Sequence, residues 1–506
     1  MRGVWCLAVV GLLIAPVTVR PAGAAEAEPV AKVSKTYTME AAAVKPAEPA
    51  KPAEAPKPPD PSTLPWTERP NICPPLVWGC EGEWKLQLGG SIMTRFEKRR
   101  NLDLNKAVDD DDDLTFLRTF VNLDLSYRKL TRVFVEFVDS QATGWRLDPL
   151  QNDRWDVFQA FVELKAREDS PWTLRLGRQA LPVVSEGRQW GRPPLEYYWF
   201  NLLPVFDGVM LDYKTKTAEV HTFLLKPLTS RHIDEDTGIV YSDTLYRVSD
   251  AWHYGIYSQF KNLAPHTYDL YVLGFSDHGD DRDFPPGSRD EDGTFDNEDR
   301  ISIGTCWRGP IKKWEGCGTL GYGFEAAYQF GHIGDDRINA YMLHGDINYE
   351  WEHPWKPKVT LLANWASGDN RVGDNEINTF SPYYGASHYG YGTMDLFRLT
   401  NLRELAITGS VSPTTSVKVL LEAHQFWLDS ESDAWNTAIG TTFGRNAAGD
   451  WAREAGTEFD ITLYYKPNKR WAFELGAAHF IPGEAARDRG RDDSANFVFL
   501  QTVFSF

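Results

Sequence analysis

The sequence predicts an all-β protein, a transmembrane antiparallel β-barrel of about 18 strands, preceded by a disordered segment rich in Pro and Ala. Three observations support this prediction. The chain ends in a strand with an apolar, aromatic face, begins with an export signal, and alternates short and long connections in between. Its mean hydropathy of −0.42 does not contradict a membrane protein, because barrel strands alternate polar and apolar residues and average out.

The closing strand, residues 496–506, carries the first observation. Alternate residues of a strand point to opposite faces, so the even positions form one apolar surface that includes Val498, Leu500, Phe504 and Phe506. At the end of a soluble protein such a strand would be an aggregation hazard, which favours the last strand of an outer-membrane barrel. The alternative is the last strand of a soluble β-sandwich.

The N-terminal residues carry the second observation. A basic start, an apolar run over residues 4–19 and the small residues Ala22, Gly23 and Ala24 predict a signal peptide, residues 1–24. Residues 25–83 are rich in Pro, Ala and Lys and cannot bury a core, so we expect an extended or disordered periplasmic linker. This linker is either an inert spacer or a contact with a periplasmic partner or the cell wall.

Connection lengths define the predicted barrel, residues 84–506. Eight short connections lie near residues 129–130, 167–171, 214–216, 262–265, 309–316, 351–356, 409–413 and 467–469. Nine long ones lie near residues 98–113, 140–153, 181–206, 228–249, 277–298, 332–337, 367–394, 428–455 and 482–495. Together they join eighteen strands, and short turns face the periplasm in bacterial barrels. Among the long loops, 181–206 and 367–394 are candidates to fold inward.

Charge and cysteine content exclude several functions. A net charge of −18 argues against a nucleic-acid partner. In an oxidising compartment we expect two local disulfides, Cys73–Cys80 and Cys306–Cys317. Neither pair has His or Cys neighbours at zinc-ligand spacing, so no metal or cofactor is predicted. The acidic run 109–113 lacks the Gly and Glu of a calcium loop, which favours a solvated loop over a calcium site.

Strand parity predicts which polar side chains face the lumen. The inward candidates include Arg95, Arg118, Arg132, Arg175, Gln179, Lys358, Lys418 and Glu458. Arginine suits carboxylate-bearing solutes because guanidinium donates two parallel hydrogen bonds. The alternative is that a neighbouring carboxylate neutralises each Arg, which then only braces the wall. Segment 395–408 does not resolve, because Arg398 and Arg403 have opposite parity.

The closing strand adds a second expectation about the lumen. Its odd face places Phe497 and Phe499 inside the barrel, which is unusual for an open polar pore and suggests packing beneath an infolded loop or plug. No catalytic site is predicted: Ser416 and His424 share a face but lie roughly 26 Å apart on one strand. The open functions are a pore for an anionic solute, a small-solute porin, and an adhesin with a closed lumen.

Several short segments resemble the alginate-export outer-membrane porin family. They follow one another in family order at residues 155–165, 174–179, 206–211, 366–370, 378–401, 456–461 and 480–483. The resemblance covers residues 84–506 and implies a monomeric eighteen-stranded barrel. It also implies an electropositive, Arg-lined pore for passive outward passage of an anionic uronate polysaccharide.

Matched motif positions assign roles to particular residues. By this resemblance Arg175, Arg178 and Gln179 are lumen candidates, and Asp207 and Asp369 are their partners or structural residues. Arg178 departs from the inward parity of its strand. The Pro-rich extension is not a family feature, and the acidic loops would repel a polyanion at short range. A general or small-solute uptake porin is therefore the alternative function.

Overall fold

The computed structural model describes most of the chain beyond the predicted linker. The described residues are 76–78, 83–144, 153–182, 199, 201, 204–229, 232–233, 240–241, 247–248, 251–261, 265–278, 296–371, 373–384, 388, 390–438 and 442–506. The predicted signal peptide, most of the predicted linker and the Cys73–Cys80 pair lie outside them. Within the described part of the chain, no helix has the length and apolar character needed to cross a membrane.

Eighteen long antiparallel strands form the wall of the barrel. In chain order they are β1 Trp84–Arg100, β2 Asp112–Tyr127, β3 Thr131–Thr143, β4 Asp153–Leu164, β5 Trp172–Ala180, β6 Val205–Lys214, β7 Ala218–Thr229, β8 Trp252–Phe260, β9 Thr267–Asp277, β10 Glu298–Trp314, β11 Gly318–Ile333, β12 Asp336–Trp351, β13 Lys358–Ala366, β14 Leu402–Thr414, β15 Val417–Trp427, β16 Glu454–Tyr465, β17 Trp471–Pro482 and β18 Ala495–Ser505. One short helix, α1 Glu484–Asp488, follows β17. Short strand pieces lie at Leu76–Trp78, His232–Ile233, Val240–Tyr241, Arg247–Val248 and Glu376–Ile377.

Pairing between the first and last long strands closes the sheet. Each long strand pairs with the next in the chain, and β18 pairs back onto β1 with Phe504 opposite Ile92 and Val498 opposite Lys98. Leu76–Trp78 adds to the start of β1. Closure removes the open sheet edges that would otherwise pair with another chain. The predicted eighteen-stranded antiparallel barrel is confirmed.

Three predicted connections differ from the structure. Strands β10 and β14 continue through Pro310 and Pro413, and the turns follow at residues 315–317 and 415–416. The register shifts between Pro310 and Lys312, and between Val411 and Thr414, because bulges accommodate prolines that cannot donate to the ladder. The predicted long loop near 332–337 is a tight turn at residues 334–335, where Gly334 has a φ of 56°.

The outer face carries the features of a bilayer contact. On β18, Val498 is 46% exposed whereas Phe497 is 2% exposed, so the apolar even face points outward. Aromatic pairs ring the short-turn end of the barrel, with ring centroids 4.7–4.8 Å apart: Trp84–Tyr127, Trp172–Tyr213 and Trp471–Phe504. Such aromatic girdles lie at the membrane interface of outer-membrane barrels.

The terminal residue completes the seam between β18 and β1. The backbones of Phe506 and Gly90 exchange two hydrogen bonds of 3.1 and 3.0 Å. A Cβ at Gly90 would lie 2.2 Å from the carbonyl oxygen of Phe120 and 2.7 Å from the Phe506 ring. The closing strand can therefore lie against β1 because position 90 has no side chain.

Loop 367–401 and Trp199 lie inside the barrel. Loop 367–401 contributes buried apolar residues that pack inside it, including Phe380, Tyr391, Phe397 and Leu399. Trp199, from the connection between β5 and β6, packs against Phe499 with ring centroids 4.7 Å apart. Loop 367–401 therefore lies inside the barrel as predicted, whereas residues 183–198 of the other candidate loop lie outside the described residues. Trp199 covers Phe497 and Phe499, which strand alternation points inward.

Candidate functional site

A polar cavity follows the inner face of strands β3 to β7. Its volume is about 310 Å³, and it is lined by Arg132, Phe134, Gln159, Phe161, Arg175, Ala180, Leu181, Pro182, Lys214 and Glu219. Arg132, Arg175 and Lys214 come from three different strands and lie near the short turns. The lining residues thus carry three positive charges and one negative charge. We call this site the arginine cavity.

Two guanidinium groups of the arginine cavity share one ring and one carboxylate. Arg132 and Arg175 lie 5.5 and 4.7 Å from the centroid of Phe161. Both bind Glu163, at 3.3 Å for Arg132 and 2.6 Å for Arg175. Arg132 also binds Asp124 at 2.9 Å. Arg175 also lies 3.8 Å from Asp212, and Lys214 binds Glu219 at 2.7 Å. Neighbouring carboxylates therefore brace these cations and offset their charge.

Two other predicted lumen arginines lie inside the barrel but are covered. Arg95 is 1% exposed and binds Glu97 at 2.5 Å. It also donates to the carbonyl oxygen of Trp199 at 2.5 Å and to Gln501 at 3.1 Å. Arg118 is 2% exposed and lies 5.6 Å from the Phe120 ring centroid. These groups pack the interior rather than face open water.

The covering layer is a stack of side chains from two loops. Trp199 lies flat on His388 of loop 367–401, with centroids 3.7 Å apart and planes 7° apart. On the wall side, the Arg95 guanidinium is 3.8 Å from the Trp199 ring centroid. We call loop 367–401 together with Trp199 the plug. It fastens to β1 and β18 through Arg95 and Phe499.

Loop 367–401 is anchored at two separated points of the wall. Ser381 exchanges hydrogen bonds of 2.7 and 3.0 Å with Gln329 on β11. The Met394 amide donates to Glu458 on β16 at 2.9 Å. Since β11 and β16 are separated by four strands, the loop crosses part of the lumen rather than lying along one strand.

Loop 428–453 holds the plug at the long-loop end. Asp429 accepts from the Gly368 amide at 2.9 Å, and Asp433 accepts from the Thr379 hydroxyl at 2.5 Å. Farther out, a hydrogen bond from Arg453 lowers the pKa of Glu431 below its usual value. The plug is therefore held by both the wall and a neighbouring loop.

Arg178 is a correction to the motif-based assignment. The structure places it on the outward face with Leu176, where it binds Asp207 at 3.0 Å. Strand alternation, not the motif, determines its direction. Gln179 points inward and is fully buried, donating to the carbonyl oxygens of Gly177 and Gly208 at 3.3 Å. Asp369 is a structural residue that binds Arg445 at 3.0 Å.

Of the remaining lumen candidates, two lysines lie near the short turns and one glutamate contacts the plug. Lys358 and Lys418 lie on the inner face at the short-turn ends of β13 and β15, and Lys418 is 5.6 Å from the Tyr464 ring centroid. Glu458 is fully buried and anchors the plug. In segment 395–408, whose parity the sequence did not resolve, Arg398 lies in the plug loop. Arg403 lies on the outward face of β14 and binds Asp429 at 2.6 Å.

The predicted Cys306–Cys317 disulfide is wrong. Cys306 is buried in the middle of β10, whereas Cys317 lies in the turn after that strand, and the two are not bonded. The strand from Cys306 to Trp314 alone spans roughly 26 Å at about 3.3 Å per residue, and a disulfide needs Cα atoms within about 7 Å. The pair looked local because residues 309–316 were expected to form a turn.

Sequence reasoning missed the residues that create the site by tertiary contact. Trp199 and His388 belong to loops with no periodic pattern of polar and apolar residues. Their stack forms only because both residues reach the same place inside the barrel. Phe161 and Lys214 were also missed, although their inward parity could have identified them. The inward Phe497 and Phe499 were the signal in the sequence for a covering layer.

Comparisons with known proteins agree with this architecture. The structure is similar to three solved structures of Pseudomonas aeruginosa proteins, the last of which is described as an outer membrane protein. OccK11 (OpdR) has a TM-score of 0.52 and 10% identity, covering 85% of this chain and 99% of that one. OpdK, solved with vanillate, has a TM-score of 0.53 and 11% identity, covering 83% and 98%. A further OpdK structure has a TM-score of 0.54 and 10% identity, covering 83% and 98%.

These structural similarities show the fold. None of the curated proteins compared with the chain matches it. The sequence model of the family described as alginate export matches residues 84–500, nearly the whole barrel. The chain is therefore an outer-membrane β-barrel of the porin and export-channel type, and it belongs to the alginate-export family.

Proposed function

We propose that this barrel passively conducts an anionic uronate polysaccharide or oligosaccharide, such as alginate, and that the arginine cavity is its entry site. The observation that carries the proposal is the pair Arg132 and Arg175 over the Phe161 ring near the short turns. Short turns face the periplasm in bacterial barrels, so an exported chain would meet this cavity first.

The chemistry of the cavity suits a sugar acid. A guanidinium group donates two parallel hydrogen bonds to a carboxylate, and an aromatic ring offers an apolar face beside it. Glu163 competes with the solute for both arginines. Binding therefore exchanges one carboxylate for another, which keeps each contact weak enough for the solute to move on. No chemical step is involved.

Passage along the lumen requires the plug to move. The plug covers the inner face of β1 and β18 and is anchored to β16, so it narrows the route between the cavity and the long-loop end. We propose that it is the gate, because the Trp199–His388 stack joins two loops that can separate without breaking the wall.

A small-solute porin is the second candidate. A cavity of about 310 Å³ matches a small ligand better than a polymer, since small-molecule sites measure about 300–1,000 Å³. OpdK was solved with vanillate, and its similarity to this chain extends to the fold. Liposome swelling separates the candidates: equal rates for neutral sugars and uronates favour the small-solute porin, and faster uronate entry favours the anionic channel.

Ion selectivity in planar bilayers tests the proposed entry site. We expect the wild type to prefer anions, and Arg175→Gln and Arg132→Gln to reduce that preference by removing cavity charge. Arg178→Gln is the matched control, because it removes the same group three residues away on the outward face. Cation preference in the wild type, or an equal effect of Arg175→Gln and Arg178→Gln, would contradict the proposal.

A further inference from the structure

We propose that Glu422, His424 and Asp460 form a divalent-cation site, suited to Zn²⁺, on the inner wall of the barrel. Glu422 and His424 project inward from β15, and Asp460 projects from the neighbouring strand β16, opposite Glu422 in the register. One ligand atom from each side chain lies within 4.8 Å of the other two. The sequence did not predict this site because its ligands come from two strands rather than one spaced motif.

Hydrogen bonding leaves the ligand atoms available. His424 Nδ1 lies 2.6 Å from Glu404 Oε1, and a carboxylate accepts, so Nδ1 carries the proton and the neutral ring has its lone pair on Nε2. Among the described residues, His424 Nε2 and both Asp460 carboxylate oxygens have no hydrogen-bond partner, although the two residues are only 4% and 5% exposed and Nε2 approaches Asp460 Oδ2 at 3.4 Å. Buried polar atoms without partners are unfavourable, and a bound cation would satisfy all three.

The distance between these atoms fits a metal. His424 Nε2 lies 3.4 Å from Asp460 Oδ2. Around a tetrahedral Zn²⁺ with bonds of about 2.0–2.1 Å, neighbouring ligand atoms lie about 3.3–3.4 Å apart. One imidazole nitrogen and two carboxylates, with a fourth position open to water, is a donor set that Zn²⁺ accepts. Glu422, with one oxygen within 4.8 Å of both other ligand atoms, would complete the set by a rotation of its side chain.

The surroundings also favour a positive ion. Four carboxylates face this part of the wall, on Glu404, Glu422, Glu458 and Asp460. Lys418 lies on the same face of β15 toward the short turns. Glu404 is itself positioned, since its other oxygen accepts from Asn364 at 2.6 Å. A carboxylate that orients a ligating histidine is the usual outer layer of a zinc site.

The site lies beside the anchor of the plug. Glu458, which holds the Met394 amide, is directly opposite His424 in the register between β15 and β16. A cation bound by His424 and Asp460 would link these two strands beneath the plug. The inference does not depend on which solute the barrel conducts.

Titration of Zn²⁺ alone into the full-length, chelator-treated barrel in detergent tests the proposal. By calorimetry and metal analysis we expect the wild type to bind one equivalent that Asp460→Asn and His424→Gln both lose. Glu404→Gln should retain the site with roughly 10–100-fold weaker affinity, because it removes only the orienting carboxylate. His479→Gln is the matched control, since His479 is a half-buried residue on the outward face of β17 that contacts Asn496.

Heat-modifiable gel mobility shows whether each variant is folded. Asp460→Asn keeps the shape of the side chain, so it tests the site even where His424→Gln fails to fold. X-ray absorption of the zinc-loaded wild type should report nitrogen and oxygen ligands without sulfur. Equal zinc binding by the wild type and folded Asp460→Asn would overturn the site and assign the metal to surface carboxylates. Absence of zinc binding by the wild type would also overturn it, leaving His424 as an imidazolium shared by Glu404 and Asp460.

Discussion

Two parts of the inner wall use the same strand alternation and reach opposite outcomes. On β3 to β7, Arg132 and Arg175 line a cavity that water can enter. On β1 and β13 to β18, Arg95, His424 and Glu458 are at most 4% exposed beneath the plug or against their neighbours. We call these the open wall and the covered wall. Alternation decides which side chains face inward, and the loops decide which of them meet water.

The difference follows from the free energy of burying charge. A buried ion is stable only with close partners, so Arg95 binds Glu97, Gln501 and a backbone carbonyl. Arg132 and Arg175 remain partly hydrated, although both bind Glu163 and each lies near one further carboxylate, Asp124 or Asp212. The covered wall is therefore a packed interior, whereas the open wall can exchange its partners for a solute.

Removing the plug's central ring should produce the largest effect. Trp199→Ala deletes the stack on His388 and the contacts with Arg95 and Phe499, and truncation of a buried Trp typically costs about 3–5 kcal/mol. We expect a severalfold rise in single-channel conductance, because the plug loses its attachment to β1 and β18. Trp155→Ala, at an outward Trp that is 64% exposed, should leave conductance unchanged. Unchanged conductance in Trp199→Ala would mean that the covered wall does not limit the current.

Removing the ring of the open wall should have a smaller and more selective effect. Phe161→Ala deletes the surface beneath Arg132 and Arg175 but keeps both charges. We expect weaker block of the current by oligouronates with nearly unchanged small-ion selectivity. Phe459→Ala is the control, because Phe459 lies on the outward face and is 47% exposed. Equal loss of block in both variants would show that the ring has no part in solute binding.

The pairing of β18 with β1 leaves no room for a side chain at Gly90. Gly90→Ala would place a Cβ 2.2 Å from the Phe120 carbonyl oxygen, and overpacking of this kind costs about 1–3 kcal/mol. We expect a lower unfolding midpoint in urea, measured by heat-modifiable gel mobility. Gly345→Ala should be tolerated, since the added Cβ has nothing within 4 Å. Equal midpoints for the two variants would contradict the close contact at the seam.

The smallest effect should be a difference in the labelling rates of two thiols on or next to β10, a strand between the open wall and the covered wall. Cys306 is buried, whereas Cys317 is half-buried in a turn, and no disulfide joins them. In the folded barrel we expect a maleimide to modify Cys317 quickly and Cys306 only after unfolding. Fast labelling of both would show that water reaches the inner face of β10, and recovery of a Cys306–Cys317 cross-linked peptide would restore the disulfide.

Physical regularities in the sequence predicted the barrel but only part of the site. Alternation correctly placed Arg95, Arg118 and Arg175 on the inner face, because the period of a strand is independent of its neighbours. Pro310 and Pro413 were misread as turns, since a bulge that absorbs a proline leaves no local pattern. The Trp199–His388 stack could not be predicted, because it depends on the paths of two irregular loops through the same space.

Oligouronate block from each side of a planar bilayer tests the central claim most directly. We predict that an oligouronate added at the short-turn side reduces the current at lower concentration than the same molecule added at the long-loop side. A neutral oligosaccharide of equal length should have little effect from either side. This result is expected because the arginine cavity lies toward the short turns, whereas loop 428–453 holds the plug at the other end. Equal block from both sides, or equal block by the neutral oligosaccharide, would contradict an anion-binding entry site on the open wall.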